Sequence, residues 1–215
     1  MFRAHAGTGA TMPFAQFMAL ALYDPEVGYY RRDRPRVGYG PGTDFFTAST
    51  SGALFGELVA AAAEKLLRAA GRDPCEHTFV EIGAEPDGPG VLAGVSHFFG
   101  GARVVRVGDP PELAGACVVF SNELFDAQPC TRTVRRGGQW REIGVRLDGD
   151  ALVETELPSP FASPACPEGY QFDRPLAAVE LAAALTAEPW RGLFLAFDYG
   201  KTLRELTEET PGGTA

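Results

Sequence analysis

The run Ala116-Cys-Val-Val-Phe-Ser121 is apolar enough to be a buried strand, and it stops abruptly at Asn122-Glu-Leu-Phe-Asp-Ala-Gln-Pro129. Two carboxylates and an amide therefore stand where a core strand ends. In an open α/β sheet, ligands bind in the crevice at the carboxyl ends of the strands. Polar residues there are better site candidates than polar residues on an outer helix. Asn122 and Asp126 can equally cap a following helix or turn.

The rest of the pattern supports an α/β chain. Ser51 to Ala70 is the clearest helix: Leu54, Phe55, Leu58, Val59, Ala62, Leu66 and Leu67 recur at helical spacing, and Gly71 ends it. Thr11 to Leu22 predicts a shorter helix, with Thr11 as cap and Pro13 in the first turn. Strands are predicted at Thr78–Ile82, Arg103–Val107, Ala116–Ser121 and Leu193–Phe197, with a short helix over Val91–Phe99 and an Ala-rich one over Leu176–Ala187. Between the third and fourth of these strands the character changes. Cys130–Arg136, Gln139–Leu147 and Ala151–Leu157 alternate like antiparallel strands, with Gly137-Gly138 and Asp148-Gly149 as tight turns. Pro158–Pro167 is a proline-rich linker, Leu203–Glu209 is helix-like, and Pro211–Ala215 is expected to have no core to pack on.

The 215 residues, 45% hydrophobic and 22% charged, are enough to bury a real core. A net charge of −9, with basic residues scattered apart from Arg31-Arg-Asp-Arg34 and Arg135-Arg136, argues against an obligate nucleic-acid partner. No apolar run reaches membrane-spanning length and no signal peptide is visible, so a cytoplasmic protein with reduced thiols is expected. The four cysteines form no CxxC pair, and no metal site is expected; Cys117, inside an apolar strand, is a small core residue. His5, His77 and His97 are better explained as solvated or locally bonded than as a catalytic set, and no G-x-S-x-G elbow supports a serine hydrolase. Arg31, Arg32, Arg34 and Arg36 are expected to form a solvated loop. Tyr29 and Tyr30 either line a pocket or pack the amino-terminal segment onto the core.

Three clusters, Glu81–Gly83, Asn122–Asp126 and Asp198-Tyr199, each end a predicted core strand. If those strands are parallel neighbours, all three clusters face one crevice. Carboxylates there can accept hydrogen bonds from a ribose, an ammonium or a guanidinium, or take a proton from an attacking nitrogen. Glycine after the first strand suits a turn where backbone must pass close to a ligand.

With these stretches in view, the chain resembles a known family, the S-adenosylmethionine (SAM)-dependent methyltransferases related to the mitochondrial complex I assembly factor that methylates arginine, including bacterial MidA-like proteins. The resemblance runs through Met12–Tyr30, Thr43–Ser49 into Leu54–Glu57, Val80–Gly83, Phe120–Pro129, Trp140–Glu142 and Asp198–Gly200, in order. It implies a class I methyltransferase-like, Rossmann-like α/β fold: a mostly parallel sheet with an antiparallel β insertion and an amino-terminal helical segment. Residues 1–71 would be that segment and cover the cofactor; residues 72–215 would be the core, with the insertion at about 130–157. Gly83, with Glu81 and Ala84 beside it, would lie at the SAM-binding turn, and Thr47 and Ser49 in the covering loop. Asn122, Glu123 and Asp126 would lie beside the methyl donor and the substrate, with Glu123 and Asp126 orienting a nitrogen nucleophile. A basic, arginine-bearing protein is the implied partner.

Three features depart from the family pattern. Glu85 stands near where a second glycine belongs. Little chain separates Gly83 from Asn122, so a strand-helix unit is expected to be shortened or missing, with Asp109 the substitute for the acid that meets the ribose. The family continues beyond Gly212-Gly-Thr-Ala215, so part of the substrate site and one sheet edge are expected to be incomplete. Glu85 and the short cofactor half favour an alternative, a methyltransferase fold kept as a binding or assembly module. Asn-Glu-Leu-Phe-Asp-Ala and Asp-Tyr-Gly favour catalysis.

Overall fold

The computed structural model describes residues 2–6, 9–31, 40, 43–44, 52–84, 88–161 and 164–214. The chain divides into two compact units. One comprises Met1–Arg32, Asp126–Leu181 and Tyr199–Ala215, and the other Asp33–Phe125 and Ala182–Asp198.

The first unit is built on an antiparallel sheet. Its strands are β1 (Thr11–Pro13), β5 (Thr131–Arg136), β6 (Gln139–Asp148), β7 (Ala151–Pro158) and β8 (Gln171–Arg174), in the order β1-β6-β5-β8 with β7 also on β6. The three predicted hairpin strands are present. They belong to a five-stranded sheet of their own and do not extend the parallel one. Gly137 and Gly138 both adopt positive φ, 57° and 76°, as a tight turn matched to strand twist requires.

Residues 11–13 form a strand, where the sequence predicts the start of a helix. Gly144 explains the difference. A Cβ at Gly144 would lie 2.8 Å from the Met12 carbonyl and 2.7 Å from a Leu157 methyl, so only glycine lets β1 close on β6. Helix α2 (Phe14–Tyr23) then begins one residue after Pro13, with no side-chain cap. Helix α1 (Phe2–His5) precedes it.

A buried ion pair sits in this sheet. Arg132 donates through Nε to Asp173 Oδ1 at 2.8 Å and through a terminal nitrogen to Oδ2 at 3.1 Å, with 8% and 5% of the two residues exposed. Such a pair is held by its bidentate geometry and by further hydrogen bonds to its lone pairs. The tail supplies one: the Thr214 N–H donates to Asp173 Oδ2. Tyr170 Oη accepts from the Thr210 N–H at 2.7 Å, and Gly212 bridges to Gln171. Residues 210–214 are thus tied to the sheet by hydrogen bonds, while Pro211, Gly212 and Thr214 stay exposed, in keeping with a tail that has no core to pack on. Helix α5 (Leu203–Glu208) leads into them through a capping box at Thr202 and Glu205.

The second unit holds a four-stranded parallel sheet in the order β3-β2-β4-β9: β2 (Thr78–Ala84), β3 (Gly101–Arg106), β4 (Gly115–Asn122) and β9 (Trp190–Phe197). Helix α3 (Ala53–Ala69) covers one face. It buries Val59, Ala60, Ala63 and Leu67 against Phe79, Val118 and Phe120. Helix α4 (Leu176–Ala187) has the predicted bounds.

The predicted helix over Val91–Phe99 is absent. Leu92, Val95 and Phe99 are buried in the α3 cluster, so their helix-like spacing reflects burial without a helix. Gly90 and Gly94 hold φ of 85° and 72°, values that interrupt a right-handed helix. The connection from β3 to β4, residues 107–114, is half the length of the one from β2 to β3, residues 85–100. Eight extended residues reach about 26 Å, enough to run back along the sheet, whereas eight helical residues rise only about 12 Å. The expected loss of a strand-helix unit is therefore seen as two crossovers without helices among the described residues.

Replacing Asp173 with alanine leaves Arg132 charged and buried, and an expected loss of about 3–5 kcal/mol follows. Urea unfolding followed by fluorescence of Trp140, which lies on β6, measures it; a loss below 1 kcal/mol, an order-of-magnitude threshold, would contradict this account of the sheet.

Candidate functional site

Strand β2 lies between β3 and β4, so the chain steps to one side of β2 and then crosses to the other. Such a reversal marks the crevice where open α/β sheets bind ligands. The register shows the crevice opening. Strands β2 and β4 pair only as far as Glu81 and Phe120. Beyond that point β2 stays with β3, up to Ala84 and Arg106, while β4 stays with β9, up to Asn122 and Phe197. The condition set by the sequence is met: β2, β4 and β9 are parallel neighbours, and the ends at Ala84, Asn122 and Phe197 share one edge of the sheet.

Gly83 sits at the parting with φ of 80°. A Cβ there would approach a Leu124 methyl to 2.7 Å, so glycine serves both the backbone angle and the space. Leu124 is a wall that the sequence reading did not single out; only the register that brings the ends of β2 and β4 level reveals it. Ala84, the last residue of β2, is buried.

Glu81 points into the loop after the first strand. Its Oε2 accepts from the Val91 N–H at 2.7 Å. Burial pushes its carboxyl above the usual carboxylate range, while the Val91 N–H and the Arg106 guanidinium pull it back. Arg106 in turn donates to the Gly88 carbonyl at 3.2 Å. Glu81 thus closes the loop around residues 88–91. Asp109 lies just past the end of β3, where the substitute acid was expected; its Oδ2 accepts from the Arg106 N–H at 3.3 Å.

Past Asn122, the last residue of β4, Glu123 adopts φ of 51°, a left-handed conformation uncommon for a residue with a side chain. Its N–H donates to the Phe197 carbonyl at 2.8 Å. Asp198 completes the brace: one carboxylate oxygen accepts from the N–H groups of Leu124 and Phe125 at 3.1 and 2.7 Å. Backbone held in a sparsely populated region by several hydrogen bonds is characteristic of functional positions. No helix follows Asn122 to be capped.

Asp126 belongs to the antiparallel unit and is exposed. In that unit Tyr23 stacks on Tyr30 with ring centroids 5.4 Å apart, and Tyr29 meets Tyr30 edge-on at 5.2 Å. The Tyr23 hydroxyl donates to the Ala127 carbonyl at 2.9 Å. Burial pushes the Tyr23 phenol well above its ordinary value, and Tyr30 and Asp126 push it further. Thr47, Ser49 and Glu85 lie outside the described residues. His77 is buried, its Nδ1 2.9 Å from the Asp73 carbonyl oxygen, a locally bonded histidine as expected. Cys117 is buried in β4, also as expected. Among the described residues no helix is long and apolar enough to cross a membrane.

Two outcomes follow from this geometry. Glu81 has a higher pKa folded than unfolded, so its contribution to stability is present at low pH and is lost as pH rises through the folded value. Glu81→Gln is expected to gain stability relative to the wild type between about pH 4 and about pH 7, measured as urea midpoints; an identical difference at both would refute the burial argument. Asp198→Ala removes the shared acceptor of two N–H groups at an exposed position and is expected to cost about 1–2 kcal/mol, read from Trp190 fluorescence during unfolding.

Comparison with known proteins agrees with this architecture. A family model described as "Putative S-adenosyl-L-methionine-dependent methyltransferase" matches residues 103–215. A crystal structure of a candidate methyl transferase from Burkholderia thailandensis, bound to S-adenosyl-homocysteine, is similar with a TM-score of 0.77 and 25% identity, covering 92% of this chain and 60% of that one. A second structure from the same organism, of an uncharacterized protein of the same superfamily, has a TM-score of 0.72 and 23% identity, covering 95% of this chain and 61% of that one. The chain thus spans less than two thirds of the length of these relatives. No curated protein matches it. With more than half of its residues matched by the family model, the chain belongs to this family of S-adenosyl-L-methionine-dependent methyltransferases.

Proposed function

We propose that the protein is a SAM-dependent methyltransferase that acts in the cytoplasm and transfers a methyl group to a side-chain nitrogen of a protein, that of arginine. The observation that carries this reading is the parting of β2 and β4 beyond Glu81 and Phe120, with Gly83 on one lip and the braced Glu123 backbone on the other. The relative with 25% identity whose crystal structure holds S-adenosyl-homocysteine supports it. The residues present fit the cofactor. Gly83 leaves backbone without a side chain at the switch point, and Leu124 supplies an apolar wall beside it. Asn122 and Asp109 stand at the ends of the flanking strands.

When bound, SAM supplies an electrophilic methyl group on sulfur. Gly83 and Ala84 would border it, Asp109 would meet its ribose, and Thr47 and Ser49 would belong to the covering loop. Direct displacement needs an aligned nitrogen with a free lone pair. Glu123 and Asp126 are assigned to that task. Their carboxylates would hold a cationic side chain by charge-assisted hydrogen bonds, and one of them would accept the proton that the nitrogen gives up as it takes the methyl group. The net charge of −9 suits a basic, arginine-bearing partner.

A methyltransferase fold kept as a binding or assembly module is the second reading, favoured by the helix-free crossovers around β3. Calorimetric titration with SAM and S-adenosylhomocysteine separates the two. Micromolar binding is expected, lost in Gly83→Val, where a β-branched side chain meets both φ of 80° and Leu124. No heat from the folded wild-type protein would favour the module. With arginine-containing peptides as acceptors, Glu123→Gln combined with Asp126→Asn is expected to slow transfer by about 100-fold or more at undiminished SAM affinity; unchanged transfer would remove both residues from the proposed role.

A further inference from the structure

The crossover that leaves Gly83 has no helix among its described residues, so its backbone must find other partners. Short turns supply some of them: the Ala93 N–H donates to the Gly90 carbonyl and the Val95 N–H to the Leu92 carbonyl, both at 3.1 Å. Further support comes from side chains of the two strands that the crossover joins. Glu81 of β2 accepts from the Val91 N–H at 2.7 Å. Arg106, the last residue of β3, donates to the Gly88 carbonyl at 3.2 Å. The Arg106 guanidinium also favours the ionised form of the Glu81 carboxyl, so the two anchors are coupled by charge.

The turn between these two bonds has little slack. A Cβ at Gly90 would lie 2.6 Å from a Val104 methyl and 3.0 Å from Glu81 Oε2, and Gly90 holds φ of 85°. Val104 is the β3 residue level with Glu81 in the register. On the other side stands α3, where a Cβ at Gly56 would overlap the Val91 carbonyl oxygen and lie 2.8 Å from a Val95 methyl. Residues 88–91 are thus confined by β3, by the Glu81 carboxylate and by α3.

We propose that Arg106 and Glu81 act as positioning residues for the cofactor: together they hold residues 88–91 as a preformed turn after Gly83, and that turn is part of the seat of SAM. In open α/β sheets the first βα turn commonly sets a helix N-terminus against the ligand. Here two side chains borne on strands fix the course of the backbone instead. Arg106 suits the task, because its planar group can donate to a carbonyl while it keeps a permanent charge beside Glu81. It is also half-buried, where a charge is screened less than on the surface. The inference rests on the reading of the gap between β2 and β4 as the SAM site, and adds the means by which this chain shapes that site.

Affinity then depends on how often the turn holds its binding shape. A site that is competent only part of the time binds with its affinity reduced by that fraction. Ordering a loop during binding likewise subtracts from affinity. Without the Arg106 side chain, the Gly88 carbonyl loses its donor and the Glu81 carboxylate loses its neighbouring cation. Residues 88–91 are left with the bond from Val91 and the contacts at Gly90. Opening of this turn is a local event, because β2 and β3 stay paired through their backbones from Thr78 and Gly101 up to Ala84 and Arg106. Loss of SAM binding from an intact fold is therefore the mark of the proposed role.

Calorimetric titration with SAM, together with hydrogen exchange of the ligand-free chain, is the test. Arg106→Ala is expected to weaken SAM binding about tenfold or more and to speed exchange of the Val91 amide, with an unchanged far-UV spectrum. Arg106→Lys keeps a cation and a donor and is expected to recover most of both. In a Glu81→Ala background the turn is already released, so adding Arg106→Ala is expected to cost less than about threefold more. Should Arg106→Ala misfold, Gly90→Ala forces the turn off Val104 and carries the same expectation for SAM and for exchange. Equal SAM affinity in Arg106→Ala and a wild type that binds would overturn the proposal. Weakened binding with unchanged Val91 exchange would overturn it too, by making Arg106 a direct contact of the cofactor, as would full additivity with Glu81→Ala. A folded wild type that takes up no SAM would overturn the reading of the gap itself, and the proposal with it.

Discussion

The register of three parallel strands governs the second unit. Strand β4 pairs with β2 over Cys117–Phe120 and with β9 throughout, so its two neighbours bring Gly83 and Asp198 to the edge where Asn122 ends the strand. The early end of the β2–β4 pairing leaves a gap, because β2 is retained by β3 and β4 by β9. Everything proposed for the site follows from that gap. Gly83 is needed there because the backbone turns through positive φ under Leu124. The strained Glu123 is tolerated there because Phe197 and Asp198 hold the backbone on both sides of it.

The antiparallel unit is organised around a different constraint, the desolvated charge of Arg132. Its partner Asp173 lies on β8, and a third piece of chain, Thr214, donates to the same carboxylate. The Arg132 guanidinium also lies 4.9 Å from the centre of the Phe14 ring, on α2. Four distant segments meet at one charge, since a buried ion needs its hydrogen bonds and contacts from whatever chain can reach it. This accounts for an ordered tail in a stretch with little apolar character.

Much of the architecture was legible in the sequence because burial leaves a periodic trace. The apolar runs at Thr78, Ala116 and Leu193 are strands, and Ser51–Ala70 and Leu176–Ala187 are helices within two residues of their predicted bounds. The Gly137-Gly138 turn was equally readable, since positive φ at two successive residues favours glycine. Two misreadings share a cause. Leu92, Val95 and Phe99 repeat as on a helix yet are buried by irregular chain under α3, and Thr11 resembles a cap yet is drawn into a strand by Gly144. In both, a partner distant in sequence overrides a local signal. For the site, Gly83, Asn122 and Glu123 were visible as strand ends; Leu124 as a wall, Glu81 as a loop anchor and Asp198 as a brace were not, because each role is a contact with a different strand or loop.

By itself the sequence determined most of the helices and strands, the strand ends that carry polar groups, and the family to which the chain is similar. These are properties of nearest neighbours along the chain: side-chain volume, periodicity and permitted φ. The tertiary structure alone decided that β2 and β4 part and that the hairpin strands recruit β1 and β8 into their own sheet. Strand pairing is a contest among backbone groups far apart in sequence. Its outcome depends on which carbonyl and N–H can meet without burying an unsatisfied partner.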